Sequence, residues 1–224
     1  MEEQDLTPLA RFYYDYIKPW HESDKTIGVI MSGGFDSAVL WHMVYQQCLK
    51  HKVKIKAFTV PKPDGSIHYA NKVLEESCRY FGTNRIHTIP VGPVDKNNRE
   101  PDSETLVFWL NKGIREAYIE HGADVMFLGT NPFADDILEW ADELPKGRVF
   151  STGTIYEEII KMPFEKLTKE WLVRIAYEEE RIDALSEITH TCTMQPRGRC
   201  GECFWCKERE WAFSKAGIKD KGKE

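Results

Sequence analysis

The chain lacks the features that would most simply announce a membrane, secreted or nucleic-acid-bound protein. No apolar run approaches the roughly 20 residues needed to cross a bilayer as a helix. The opening Met1-Glu2-Glu3-Gln4-Asp5 has neither the basic start nor the apolar centre of a secretion signal, so a cytoplasmic location and no membrane partner are expected. Positive charge is not in excess either. Thirty Lys and Arg against 36 Asp and Glu leave a net charge of −6, which disfavours a general nucleic-acid binder. Internal repeats are missing. Two familiar nucleotide signatures are missing too, because no Gly-Lys-Ser/Thr closes a phosphate loop and there is no three-glycine dinucleotide fingerprint. What remains is an ordinary globular composition, 42% hydrophobic over 224 residues, enough for one full core with a small appendage.

Against that background one stretch stands out. Thr26-Ile27-Gly28-Val29-Ile30-Met31 is an apolar run that breaks into Ser32-Gly33-Gly34-Phe35-Asp36-Ser37, after which an amphipathic pattern begins at once. This reads as strand, tight turn and helix start. Adjacent glycines let the backbone approach a ligand, and the helix start aims N–H groups and a positive dipole into the turn, which suits a phosphate. A plain glycine turn between a core strand and its helix is the competing reading.

Downstream, strand and helix patterns alternate. Val39, Leu40, Met43 and Val44 mark a helix to about His51, Lys54–Val60 a second strand, Ile67–Phe81 a helix with Gly82 as its C-terminal cap, and Arg85–Val91 a third strand. A helix capped by Asp102 or Ser103 runs to Tyr118, Asp124–Asn131 is a fourth strand, and Thr168 caps a helix through Trp171, Leu172, Ile175 and Ala176. Such alternation predicts an α/β fold, a Rossmann-like doubly wound parallel sheet, with ligands at the carboxyl ends of the strands. Ser32–Ser37, Thr59-Val60 and Gly129–Asn131 all fall at such ends and can share one site. Ala134–Tyr156, with Asp135 and Asp136, reads as an acidic flap or an inserted helix. His68 and His87 read as structural, and Cys48 and Cys78 as buried thiols.

Four of the six cysteines crowd the C-terminal region. Cys200-Gly201-Glu202-Cys203-Phe204-Trp205-Cys206 brings three thiols into one turn, and Cys192 can fold back as the fourth. Four sulfur donors suit tetrahedral zinc, and a closed set of four is structural because it leaves no position for water. An iron–sulfur cluster could use the same ligands, whereas disulfides fit poorly without a secretion signal.

Ser32-Gly33-Gly34-Phe35-Asp36-Ser37 resembles the pyrophosphate loop of the PP-loop ATP pyrophosphatases. Pro163-Phe164 followed by Leu167-Thr168-Lys169 is similar to a Pro-hydrophobic…Thr/Ser-Lys block within that group. His190-Thr191-Cys192 with Cys200–Arg209 and Ala212-Phe213 resembles the zinc tail of 7-cyano-7-deazaguanine synthases, the QueC/ExsB family. The chain departs from that family at Val60–Gly65, Asn98–Pro101 and Asn131–Asp136, stretches that shape the base pocket there. The resemblance implies an ATP-dependent carbon–nitrogen ligase. It would convert 7-carboxy-7-deazaguanine and ammonia to the nitrile through an acyl-adenylate, with ATP, Mg²⁺ and one structural Zn²⁺. It further implies that Ser32, Gly33, Gly34 and Ser37 bind phosphate, that Asp36 holds Mg²⁺, and that Met31, Phe35, Phe58, Thr59 and Gly129 border the nucleotide. Lys169 would be a second cation, catalytic together with Asp36. Cys192, Cys200, Cys203 and Cys206 would hold the metal. The expected domains are an ATP-binding α/β unit over 1–185 (1–20 an N-terminal helix), a four-cysteine zinc segment over 186–214 and a flexible tail over 215–224. Small-molecule substrates are the expected partners, and a homodimer is compatible. A PP-loop enzyme adenylating an RNA base and a non-enzymatic zinc-stabilised partner protein are the alternatives.

Overall fold

Thr26–Ile30 (β1) is buried at all five positions, as befits a strand with neighbours on both edges and helices on both faces. In the computed structural model, which describes residues 11–20, 24–93, 103–138 and 159–223, β1 pairs in parallel with Lys54–Thr59 (β2) on one side and Val125–Phe127 (β4) on the other. Ile89–Pro90 (β3) adds to β2, and Ile160–Lys161 (β5) adds to β4, both in parallel. The order is β3-β2-β1-β4-β5. The chain therefore builds outward from β1 in one direction and then returns to build in the other. The switch lies between the carboxyl ends of β1 and β4, where open α/β sheets bind ligands. The Rossmann-like fold expected from the alternation is present.

Strand side chains alternate between two cores. Ile27, Val29, Ala57, Val125 and Phe127 enter one; Ile30, Phe58, Met126 and Leu128 enter the other. Over the first face lies Phe35–His51 (α1), buried along nearly its whole length, with Ser66–Phe81 (α2) beside it. Lys169–Glu178 (α5), Ile182–Ile188 (α6) and Phe204–Ala216 (α7) complete that layer through Leu172, Val173, Leu185, Ala212 and Phe213. Over the second face Ser103–Ile119 (α3) contributes Trp109, Ile114 and Ala117. One turn, Asp135–Leu138 (α4), follows β4.

Several expected boundaries move, each for a stated reason. The third strand shrinks to two paired residues because the Thr88 N–H donates to Asn71 Oδ1 (3.0 Å) and Pro90 has no N–H to offer. The fourth pairs only over Val125–Phe127, since the chain then turns into the site at Gly129. Short β5, α6 and the helical character of α7 were not anticipated. Residues 215–223, expected to be flexible, are instead tied down: Asp220 is buried and chelated by two arginines. Residues 1–10 of the expected N-terminal helix lie outside the described residues; its visible end is a turn over Tyr13–Ile17 that stacks Tyr13 on His51. Most of the acidic flap (139–156) lies outside them as well. Among the described residues no helix is long and apolar enough to cross a membrane.

A candidate phosphate loop beside a cysteine cluster

The loop after β1 is held open by its own hydroxyls. Ser37 Oγ accepts from the Ser32 N–H (3.2 Å), lies 3.1 Å from Ser32 Oγ and donates to Gly34 O (3.0 Å). Gly34 is the extended N-cap of α1, with no side chain capping it, so the first-turn N–H groups face the loop. Gly33 has φ +77°, and a Cβ there would stand 2.6 Å from Tyr69 Cβ and 2.9 Å from Ser66 O. Both conformation and space demand glycine. Across the switch point, a Cβ on Gly129 would sit 3.1 Å from the Asp36 carbonyl and the Ser37 nitrogen. Glycine at that position lets the end of β4 pack on the first turn of α1.

The C-terminal segment reaches this loop from outside. The His190 N–H donates to Gly33 O (2.9 Å). Its ring stacks on Tyr69 with centroids 4.4 Å apart, and the Tyr69 hydroxyl donates to Pro196 O (3.1 Å). Lys169, the first residue of α5, extends its ammonium to within 3.3 Å of Asp36 Oδ2 and 2.5 Å of Glu208 Oε2 on α7. The Lys169 and Glu208 side chains are 2% and 0% exposed, while Asp36 keeps 20%. Trp205 lies over the same ammonium at 5.9 Å. Trp205 also packs with Phe204 and with Phe133 from the loop after β4. An acidic pair sharing one lysine thus borders the glycine turn, with an aromatic wall beside it.

The cysteine cluster begins α7. Cys203 is its N-cap, and its carbonyl accepts the N–H of Cys206 and Lys207. The sulfurs of Cys192, Cys200, Cys203 and Cys206 all lie within 4.8 Å of one another. Cys200 and Cys206 are 3.9 Å apart, close to the ~3.8 Å edge of a tetrahedron built with Zn–S bonds of about 2.3 Å. Backbone N–H groups of Cys203 and Glu202 draw the Cys200 thiol down to about 6, favouring the thiolate, whereas burial pushes Cys206 up to about 12. A bound cation is what would bring all four to the thiolate form. The donor set and spacing fit a metal ion.

Next to the cluster sits Arg209, fully buried. It pairs with Asp220 through Nε (2.9 Å) and Nη2 (3.0 Å), and donates to Thr189 Oγ1 (2.9 Å), Thr191 Oγ1 (3.1 Å) and Ser186 O (2.6 Å). Burial alone would raise the Asp220 pKa, but hydrogen bonds and charge from Arg209 and Arg199 outweigh it and hold the carboxyl below its usual range.

The residues singled out by sequence divide into three groups. Ser32, Gly33, Gly34, Asp36, Ser37, Gly129 and Lys169 converge at the switch point. Cys192, Cys200, Cys203 and Cys206 converge on one another. Met31, Phe58 and Thr59 lie at the carboxyl ends of β1 and β2, with part of their backbone bonded within the sheet, and the Phe35 side chain faces the core. Phe35 packs edge-on against Phe213 in the core, the Met31 N–H is spent on Phe58 O (2.7 Å), and Thr59 O accepts from Val91 (3.0 Å). Thr59 Oγ1 is buried with no hydrogen-bond partner among the described residues. Asp135 and Asp136 are exposed, Asp136 pairing with Lys215. Cys48 and Cys78 are buried as expected. Glu208 and Trp205 were missed. Both lie in the stretch that carries the tail resemblance, where they were given no role of their own, and only the partner contributed by α5 shows that Glu208 is buried in an ion pair.

The family model described as queuosine biosynthesis protein QueC matches residues 144–217, a stretch containing Lys169, the four clustered cysteines, Glu208 and Arg209. The 7-cyano-7-deazaguanine synthase of Saccharolobus solfataricus is 30% identical over 125 residues, covering 54% of this chain and 26% of that protein. The 7-cyano-7-deazaguanine synthase of Gloeobacter violaceus is 36% identical over 63 residues, 27% of either chain. The matches thus span 26% and 27% of these relatives' own lengths. They bear out the resemblance carried by the motifs: over these stretches the chain is similar to the QueC family. A solved U34-tRNA thiolase, NcsA from Methanococcus maripaludis with its 4Fe–4S cluster, is similar at a TM-score of 0.44 and 13% identity over 72% of this chain and 58% of that one. That likeness is too loose to bear on function.

Proposed function

We propose that this chain is an ATP-dependent carbon–nitrogen ligase that converts the carboxylate of 7-carboxy-7-deazaguanine, or of a close deazapurine relative, to a nitrile. The observation that carries the reading is the meeting of two segments far apart in sequence. Lys169, from the QueC-matching stretch, reaches Asp36 of the glycine loop across 3.3 Å. A carboxylate is a poor electrophile, so ATP first converts it to an acyl-adenylate and pyrophosphate leaves. Ammonia displaces AMP to give the amide, and a second activation permits loss of water to the nitrile.

In this reading the first-turn N–H groups of α1 and the Ser32 and Ser37 hydroxyls cradle the phosphates, and Lys169 offsets charge developing on the leaving pyrophosphate. Asp36 would hold the divalent ion that accompanies ATP, and that ion supplies further neutralisation of the phosphates. The Phe133–Phe204–Trp205 cluster, whose rings meet edge to face, offers apolar contact to a heteroaromatic base. Zinc on the four cysteines would act as a cross-link that fixes the start of α7, with no open position for chemistry.

The test is incubation of purified protein with ATP, Mg²⁺, ammonium and 7-carboxy-7-deazaguanine. AMP, pyrophosphate and a product of the nitrile's mass should form together. Absence of all three at high, metal-replete enzyme overturns the reading. Elemental analysis should return about one zinc per chain, and iron in its place would redirect the metal assignment to a cluster.

A further inference from the structure

The peptide between Gly33 and Gly34 has two orientations open to it. Its C=O and N–H lie in one trans plane and point opposite ways, and neither flanking residue carries a Cβ. Turning that plane over changes ψ of Gly33 and φ of Gly34, and glycine tolerates either outcome. One orientation would present a carbonyl oxygen to a bound anion, the other an N–H. A single contact decides between them. The Gly33 carbonyl accepts the His190 N–H at 2.9 Å, so the Gly34 N–H is turned the other way, toward Ser32 Oγ at 3.3 Å on an exposed edge of the loop. That is longer than the usual N–H···O bond of about 2.9–3.0 Å, and a charged phosphate oxygen is the stronger acceptor.

His190 is itself held from several directions. The buried Arg209 guanidinium donates to the hydroxyls of Thr189 (2.9 Å) and Thr191 (3.1 Å), the residues on either side of it. The His190 ring stacks on Tyr69 at 4.4 Å with 10° between the planes, and its Nε2 lies 2.8 Å from Gln195 O. We propose that His190 is a positioning residue whose backbone N–H locks the Gly33–Gly34 peptide with the Gly34 N–H facing the phosphates. This rests on the nucleotide reading above. The segment that leads into the cysteine cluster at Cys192 thus readies the glycine loop for an anion, a duty in the site beyond holding the fold together.

The experiment uses the full, zinc-loaded chain and α,β-methylene-ATP with Mg²⁺ as a non-cleavable nucleotide, binding being read by calorimetry. His190→Ala keeps the N–H and loses the ring, so affinity should stay within about threefold of wild type, the lower end of what an aromatic pair contributes. His190→Pro removes the N–H as well, and Thr189, extended at ψ 146°, accommodates a following proline. Its affinity should fall about tenfold below that of His190→Ala, the scale of one hydrogen bond. Relaxation dispersion at the Gly34 nitrogen should report microsecond-to-millisecond flipping in His190→Pro and none in wild type or His190→Ala, a signature that a merely stabilising contact would not give. Equal affinities of the two variants overturn the proposal while leaving the nucleotide reading intact, as does the same Gly34 dispersion in all three proteins. Wild type supplies a test that needs no variant. Its His190 N–H should be protected from hydrogen exchange before nucleotide is added, and an unprotected one overturns the lock. Wild-type protein that binds no nucleotide overturns both the lock and the nucleotide reading.

Discussion

Glu208 and Arg209 are neighbours on one helix, both fully buried, yet they enter ionic clusters of opposite design. Arg209 sits in a closed one. Its guanidinium is satisfied by Asp220, Thr189, Thr191 and Ser186, and Arg199 supplies a second cation to the same carboxylate. These partners all come from the C-terminal part of the chain, so the cluster staples α6, the 189–191 segment, α7 and residues 217–223 together. Glu208 sits in an open one, where two carboxylates share Lys169 and one of them, Asp36, lies at the edge of the glycine loop. A closed, hydrogen-bonded set gives a unique fold. A set of charges at the edge of a glycine loop suits a charged ligand.

The comparison can be broken from either side. Arg209→Met should have the largest effect. It leaves the buried Asp220 with Arg199 alone and strips the donors from Thr189, Thr191 and Ser186, and removing one partner of a buried pair typically costs about 3–5 kcal/mol, read as a lower urea midpoint. If the protein retained wild-type stability, the closed cluster would not be the staple described. Lys169→Gln should act mainly on chemistry, cutting pyrophosphate release about 10²–10³-fold, the usual loss for one preorganised charge at a transition state. Retained turnover would move the cation role away from the open cluster.

Asp220→Asn should cost less, about 1.5–3 kcal/mol for a charge-assisted hydrogen bond, and its effect should depend on pH. The Asp220 pKa is depressed in the fold from an ordinary value of about 3.9. Its contribution is therefore fully present above that value and is lost as pH falls through the lower, folded pKa. Wild type and variant should converge in stability in acid and separate above about pH 4; a constant gap between them would refute the assignment. The smallest effect belongs to Lys215→Ala. The Lys215–Asp136 pair is exposed on both sides, and solvent screening should leave the melting temperature unchanged within measurement scatter.

Much of the candidate site could be read from residues alone, because its signals are local. A glycine pair before a helix start states its geometry within six residues, and Cys200–Cys206 places three thiols in one turn. Strands with both faces buried announce themselves as apolar runs, as Thr26–Ile30 does. The misreadings share a cause. Arg85–Val91 has the composition of a strand, but Asn71 takes the Thr88 N–H and most of the segment stays outside the sheet. Phe35 sits inside the loop motif, yet its side chain turns into the core against Phe213. Residues 217–223 look like a polar tail, and one carboxylate among them is the counter-ion of a buried arginine.

The sequence by itself determined the α/β class, the phosphate-suited turn and the four-cysteine cluster, because each depends on spacing within a few residues or on periodicity along one element; the candidate lysine came only from the resemblance to a family block. Only the tertiary structure decided that these belong to one place. The strand order puts the switch point at Gly33 and Gly129. The packing of α5 between α1 and α7 brings Lys169 to Asp36 and to Glu208. Charges that read as solvated become buried partners only when a distant segment supplies the opposite sign, and no local pattern encodes that arrival.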